Sequence, residues 1–271
     1  MMPDALMNMV SLRHGNEKSY FIISAILGGL IWLLVLISTM GLILVWLLVI
    51  AFFLYVAEGF LRAQLFGNAV QVSPRQFPEI HAICQQCATD MGLRSTPEVF
   101  VINSGGVINA LAVKLLQRRY VLLYSHLVDL MSAKELGMVI AHELAHHAAG
   151  HTAFWRNLLI KPAFFIPFLG AAYSRACELT SDRVAAAWLR DPAASKSALI
   201  LLASGSLRFR KQVDLQAFRE QERLVPPFFG FISTIFATHP RLTVRVEELD
   251  ILFRNDPVGA RPVDVASAPA E

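Results

Sequence analysis

The feature that most restricts the fold is an apolar block at residues 21–56. Glu58 is the only Asp, Glu, Lys or Arg between residues 20 and 60. One straight helix over the block would measure about 54 Å, whereas the hydrocarbon core of a bilayer is about 30 Å thick. The polar sequence STMG at residues 38–41 offers a turn, so we expect two transmembrane helices, near 21–37 and 41–56.

The charges that flank this block predict its orientation. Arg13 and Lys18 precede it, Arg62 and Arg75 follow it, and the turn carries no charge. The positive-inside rule therefore places both ends of the hairpin, and the chain that follows, in the cytoplasm. A cleaved signal peptide is the alternative, but the block is much longer than an apolar signal region of about 7–15 residues and lacks a small-residue cleavage site.

Composition excludes some classes of partner and site. A net charge of +3 without a basic stripe gives no support for a nucleic-acid partner. Three cysteines do not suit a disulfide framework, which agrees with a reducing compartment. Cys84 and Cys87 form a lone C-x-x-C pair, and we expect them to be small core residues rather than a redox or metal site.

After the hairpin, the pattern predicts a helix from Ser73 to about residue 92 and then three short strands. Their sequences are PEVFVIN, VINALAV and RYVLLYS, with a glycine pair between the first two. A capping box, Ser132 to Glu135, opens a helix over about 133–150, and the rest is helical to residue 253. The apolar segment 157–173 is either a buried helical hairpin or an interfacial segment that dips into the membrane.

The sequence VIAHELAHHAAGH, at residues 139–151, lies on the helix that follows the capping box. His142 and His146 are four residues apart, so their imidazoles lie one turn apart on one face and can reach one zinc ion. Glu143 flanks the same face and can reach a metal-bound water. At about 100° per residue, His147 points well away from this face and His151 lies on the opposite side of the helix. We therefore expect both to be helix-surface or C-cap groups rather than ligands.

A catalytic zinc site usually has three protein ligands, so a third must come from another segment. Glu178 and Asp182 lie four residues apart in an otherwise apolar stretch, where a carboxylate is costly to bury unless it is paired or binds a metal. We expect Glu178 to be the third ligand. Asp182 is expected to accept the second ring N–H of a zinc-bound histidine, with a solvated ion pair to Arg183 as the alternative.

These motifs, with INALAV at residues 108–113 and THPRLTVRVEEL at 238–249, resemble the integral-membrane zinc metallopeptidases that include the HtpX heat-shock protease and the CAAX prenyl protease. The resemblance implies that His142, His146 and Glu178 bind zinc and that Glu143 is the general base. It also implies a zincin-like fold that is mainly α with a small antiparallel β-sheet.

Other roles follow from the same resemblance. Asn109 would lie along the active-site cleft, where an extended peptide could add to the strand edge; a turn-capping role for Asn109 is the alternative. His239 would contact the substrate carbonyl or the oxyanion, although it could instead be structural at a helix N-terminus. Arg245 is expected to be a structural ion-pair partner.

The sequence therefore predicts a cytoplasmic segment at residues 1–19, a two-helix transmembrane anchor at 20–60, a metallopeptidase domain at 61–254 and a disordered tail at 255–271. The expected function is a membrane-anchored endopeptidase with one zinc ion, located in a bacterial inner membrane and acting on polypeptides that include membrane proteins. A membrane-anchored zinc-binding scaffold or chaperone-like module without turnover is the alternative.

Overall fold

Two long apolar helices form a hairpin near the start of the chain. The computed structural model describes residues 9–103, 105–114 and 118–255 of the protein. Helix α2 is Gly15–Ser38 and helix α3 is Ile43–Asn68. Their most apolar windows have mean hydropathies of 2.6 and 2.4 and are only 11% and 6% buried. So little burial distinguishes them from the core helices of a soluble domain and confirms the expected apolar hairpin.

The remaining helices follow in chain order around one small sheet. They are α1 (Met9–Leu12), α4 (Pro78–Asp90), α5 (Ser125–Leu130), α6 (Ala133–Ala148), α7 (Phe154–Ile160), α8 (Leu169–Leu189), α9 (Pro192–Ser204), α10 (Leu207–Arg210), α11 (Leu215–Leu224), α12 (Pro227–Phe236) and α13 (Leu242–Asn255), with a 3₁₀ turn at Lys161–Phe165 between α7 and α8. Helix α4 begins five residues later than expected, because Ser73 and Gln76 close a tight turn first.

The sheet has four strands in the order β1-β2-β4-β3: β1 is Val70–Gln71, β2 is Glu98–Ile102, β3 is Ala110–Lys114 and β4 is Arg119–Tyr124. The fold class is confirmed as mainly helical with a small sheet, but the sheet is mixed rather than antiparallel. Strands β2 and β4 pair in parallel, and β3 pairs with β4 in the antiparallel sense. The continuous apolar run at residues 120–123 is buried on both faces, which favours a central position for β4.

The core lies between this sheet and the helices α4, α6, α8, α9 and α13. Helices α6 and α8 approach closely at Gly137, where an added Cβ would lie 3.4 Å from the Trp188 ring. Cys84 and Cys87 are fully buried in this core, and burial raises the pKa of Cys84 to about 12. Their expected role as core residues is confirmed. The predicted tail at residues 256–271 lies outside the described residues.

Candidate active site

Helix α6 carries the histidine motif, and its N-terminus is fixed by the expected capping box. The Ser132 side chain accepts a hydrogen bond from the Glu135 backbone, and the Glu135 carboxylate accepts one from the Ser132 backbone. This satisfies otherwise unpaired backbone donors of the first turn. The motif residues His142 and Glu143 then lie in the buried stretch of the helix, and His146 lies near its C-terminal end.

Helix α8 packs across α6 and brings Glu178 to the two histidines. His142 Nε2 lies 3.3 Å from His146 Nε2 and 3.4 Å from Glu178 Oε2, and His146 Nε2 lies 3.4 Å from Glu178 Oε1. Two ligands of a tetrahedral ion are separated by about 1.6 bond lengths, or about 3.3 Å for the zinc bonds of about 2.0–2.1 Å made by His and Glu. The three side chains therefore fit a zinc ion in both donor chemistry and spacing.

The charges around these atoms also favour a cation. Burial alone lowers the pKa of His142, but the hydrogen bonds and charges of Asp182 and Glu178 outweigh burial and raise that pKa to about 10. Burial likewise opposes ionisation of Glu178, but His142 and His146 hold the pKa of its carboxyl well below the usual range. The site thus places an ionised, almost fully buried carboxylate against two imidazoles, an arrangement that a bound cation would stabilise.

Asp182, one turn beyond Glu178, is fully buried behind His142. Its Oδ1 lies 2.9 Å from His142 Nδ1, so Nε2 of that ring remains directed at the other two ligand atoms. Arg245 donates two hydrogen bonds of 2.7 Å to the same carboxylate. The alternative partner, Arg183, instead pairs with Glu248 at 2.8 Å. Asp182 is therefore held where it can orient a metal-bound imidazole, and Arg245 makes the structural ion pair that we expected.

His151 does not lie where a continued helix α6 would place it. Helix α6 ends at Ala148, and Gly150 takes a left-handed φ of 78°, so the chain turns back and the His151 backbone N–H bonds to the His146 carbonyl. His151 Nδ1 then lies 3.1 Å from His146 Nδ1. His151 is buried rather than on the helix surface, and burial lowers its pKa to about 4, so the ring is neutral.

This contact fixes the hydrogens on both rings. With Nε2 of His146 turned to the other ligand atoms, its Nδ1 carries the hydrogen and donates it to Nδ1 of His151. A neutral His151 must then carry its own hydrogen on Nε2. That nitrogen lies 3.3 Å from Oε1 of Glu17, a residue of the anchor helix α2. His151 therefore links the anchor to His146, through a hydrogen bond to His146 and a charge contact with Glu17 that does not meet hydrogen-bond geometry.

Glu17 has no exposed surface and is held from several sides. Arg13 bonds to its Oε1, the Thr180 hydroxyl donates to its Oε2 at 2.6 Å, and Arg156 lies 3.4 Å from its Oε1. Donor atoms of Glu17, His151 and Cys177 also lie within 4.8 Å of one another. Because two guanidinium groups already neutralise the carboxylate, this second cluster does not suit a cation.

His147 is also buried, so of its two expected roles the helix-surface one is wrong and the C-cap one agrees with the structure. Its Nδ1 lies 2.8 Å from the Thr152 hydroxyl, across the turn at Gly150. Burial lowers the pKa of His147 to about 4, so the side chain is neutral. It joins the end of α6 to the following turn and does not approach the three ligand atoms.

The remaining expected site residues line one cleft in front of His142 and Glu178. Glu143 and Asn109 are on its walls, and His239 Nε2 lies 3.6 Å from Glu178 Oε1. The His239 side chain is 67% exposed, so it can contact a molecule in the cleft. The Asn109 side chain accepts a hydrogen bond from the Ala110 backbone, which supports the turn-capping alternative without removing Asn109 from the cleft.

Comparison with known proteins shows which family the chain is similar to. The family model for peptidase family M48 matches residues 74–165 and 153–252. A plastoglobule-localized metallopeptidase 48 of Arabidopsis thaliana chloroplasts is 27% identical over 215 residues, which are 71% of this chain and 62% of the relative. A protease HtpX homolog of Halobacterium salinarum is 36% identical over 81 residues, which are 30% of this chain and 27% of the relative.

Among solved structures, the crystal structure of S. mikatae Ste24p matches with a TM-score of 0.48 and 18% identity, covering 75% of this chain and 56% of that one. The chain thus spans about six-tenths of the plastoglobule relative's length and a smaller share of the HtpX homolog. The family model covers strands β2 to β4, both ligand helices and the His239 segment, and β1 lies before the matched residues. The resemblance predicted from the motifs is confirmed: the chain belongs to peptidase family M48.

Proposed function

We propose that this protein is a membrane-anchored zinc endopeptidase. The observation that carries the proposal is the convergence of His142, His146 and Glu178, whose imidazole nitrogens lie 3.3 Å apart and each 3.4 Å from one of the two Glu178 carboxylate oxygens, at a cleft that Glu143 and His239 also line. A structural zinc site usually fills the fourth position with a protein side chain. Within the described residues, the donor set at this site has three members, which favours catalysis over a purely structural site.

The side chains around the site suit peptide hydrolysis. Zinc held by these three ligands would supply a Lewis acid and would lower the pKa of a bound water toward about 7. Glu143 is placed to accept the proton of the attacking water and then to deliver it to the leaving amine. His239, exposed at the cleft and close to Glu178, is placed to donate a hydrogen bond to the carbonyl oxygen as negative charge develops on it.

Strand β3 supplies a surface for an extended polypeptide. Within the part of the chain that the structure describes, β3 pairs with β4 on one edge and with no strand on the other. Ala110 at its start and the preceding Asn109 line the cleft. A peptide that adds to this edge gains backbone hydrogen bonds independent of its sequence. We therefore propose polypeptide substrates bound in extended conformation, with membrane proteins among them, as expected for a role in membrane protein quality control.

The same proposal includes the location. The hairpin α2–α3 anchors the domain, and the positive charges that flank it favour a cytoplasmic catalytic domain in a bacterial inner membrane. The names of the curated relatives support the peptidase part, and the two apolar helices support the membrane part. The site geometry, rather than these names, supports the zinc mechanism.

Cleavage of an unfolded protein tests the proposal. The purified, detergent-solubilised chain is incubated with zinc and casein, beside Glu143→Gln and a matched surface change, Glu220→Gln, on α11. We expect the wild type and Glu220→Gln to cleave and Glu143→Gln to bind zinc without cleaving. Cleavage by Glu143→Gln at the wild-type rate would exclude Glu143 as the base. Zinc binding without cleavage in all three proteins would favour the scaffold function.

A further inference from the structure

The segment at residues 154–168, which contains α7 and the 3₁₀ turn, packs directly on the first anchor helix. At Gly28 the backbone of the segment comes so close that an added Cβ would lie 2.3 Å from the Leu159 carbonyl oxygen. One turn further along α2, Trp32 donates its indole N–H to the Leu158 carbonyl at 2.8 Å. Helix α2 therefore packs directly on the backbone of residues 158–159, and this contact is possible because Gly28 has no side chain.

These contacts lie far along the anchor. Counted from Phe21, where the apolar block begins, at 1.5 Å per residue, Gly28 is about 10 Å and Trp32 about 16 Å along the span. The hydrocarbon core of a bilayer is about 30 Å thick. A segment that packs against both residues of a membrane-spanning helix must itself lie within the hydrocarbon region rather than above the headgroups.

The outer face of the segment matches that position. Trp155 is 76% exposed and Phe165 is 90% exposed, and Leu159 and Phe168 are exposed beside them. Lys161 is the only charged side chain exposed on this face, and its Nζ lies 5.3 Å from the centre of the Phe164 ring. An exposed cluster of large apolar groups is costly in water and favourable in lipid.

Arg156 shows how the segment places its other cation. The guanidinium group lies over the Phe21 ring at 4.1 Å and reaches Glu17, which are both near the start of α2. The Arg156 side chain thus extends from α7 toward the start of α2, which is the end of the anchor nearest the candidate active site. This is the direction in which a long cationic side chain extends from hydrocarbon toward the headgroups.

Helix α12 continues the apolar surface. Phe228, Phe229 and Phe231 are all more than 60% exposed, and the stretch from residue 225 to 237 contains no Asp, Glu, Lys or Arg. The rings of Phe236 and Phe168 are 5.5 Å apart, which joins the helix to the segment 154–168. Arg175 of α8 donates hydrogen bonds to the carbonyls of Thr234 and Ala237 and holds the end of α12 in place.

We propose that residues 154–168 and α12 are embedded in the bilayer leaflet into which the first half of α2 enters, with lipid acyl chains as their partner. The surface is continuous with the lipid-facing side of the hairpin, which favours lipid over a second copy of the chain. His239 follows α12 by three residues, so the catalytic cleft opens at the membrane surface. This inference rests on the anchor and does not depend on peptidase activity.

The test measures the environment of single labels. Phe165→Cys and Phe229→Cys are labelled with an environment-sensitive NBD probe in lipid nanodiscs; the native cysteines are buried and unreactive. Leu48→Cys, 72% exposed on α3, is the lipid-facing control, and Gln216→Cys on the polar helix α11 is the aqueous control. Quenching is compared between doxyl-labelled lipids and iodide in solution, with folding checked by circular dichroism.

We expect both patch labels to match Leu48→Cys, with blue-shifted emission and quenching by doxyl lipids several times stronger than at Gln216→Cys. If iodide quenches the patch labels as strongly as it quenches Gln216→Cys, the surface faces water and the inference is wrong. Protection from both quenchers would show that protein covers the surface, and this would also overturn the inference in favour of a second copy.

Discussion

The link between the anchor and the metal ligand predicts that Glu17→Gln weakens zinc binding. The substitution keeps the size of the side chain but removes the charge that faces His151 Nε2 at 3.3 Å. Nδ1 of His151, which accepts the hydrogen bond from His146, is then held less firmly. The orientation of the His146 ring is therefore less well fixed. Glu17 has no direct contact with the three ligand atoms, so the effect must pass through His151.

The magnitude follows from known partners of metal-bound histidines. Removing a group that orients a ligating imidazole typically costs 10–100-fold in metal affinity. His151 is the direct partner of His146, and Glu17 acts one group further from the metal, so we expect Glu17→Gln to lower zinc affinity by about tenfold at most, or about 1.4 kcal/mol of binding free energy. Because the carboxylate is fully buried between Arg13 and Arg156, the variant should also unfold at a lower temperature.

The assay must separate these two effects. Zinc is titrated against a chromophoric chelator in detergent, well below the unfolding temperature of each protein. Arg13→Gln is the matched control, because it removes a cation from the same carboxylate but leaves the contact between Glu17 and His151. It should lower stability and leave zinc affinity unchanged. Equal affinities for wild type and Glu17→Gln would refute the reasoning, as would an equal loss in Arg13→Gln.

Two further predictions test neighbouring contacts. Asp182→Asn should weaken zinc binding by about 10–100-fold, because His142 loses its charged acceptor. Glu248→Gln, which breaks the Arg183 pair instead, should leave affinity unchanged in the same titration, and equal losses would contradict a specific role of Asp182 at His142. Gly28→Ala should destabilise the protein by about 1–3 kcal/mol because its Cβ meets the Leu159 carbonyl; Gly29→Ala, which meets only a side-chain carbon at 3.9 Å, should have little effect, and similar thermal unfolding of both would contradict this packing.

The local features of the site follow from the sequence because helical spacing decides them. The capping box fixes where α6 begins, and His142 and His146 then share a face whatever the rest of the chain does. Glu178 could be chosen because an acidic residue in an apolar stretch needs a partner. Each of these inferences used only residues within about one or two helical turns.

The other features depend on tertiary structure. His151 was placed by extending α6 past Gly150, where the left-handed turn in fact ends the helical periodicity. Glu17 lies 129 residues before His146, and nothing in its local sequence indicates that contact. The parallel pairing of β2 with β4 likewise depends on β3 lying at the sheet edge, which strand periodicity cannot specify.

The wide sequence separation within the site also has a consequence for biogenesis. Arg245 of α13 must pack on Asp182, and Glu17 must meet His151, before both imidazole ligands are oriented. Synthesis proceeds from the N-terminus, so the metal site cannot reach this arrangement until the ribosome has released residue 245. The two imidazoles therefore gain their full set of orienting partners only when nearly the whole chain has been synthesised.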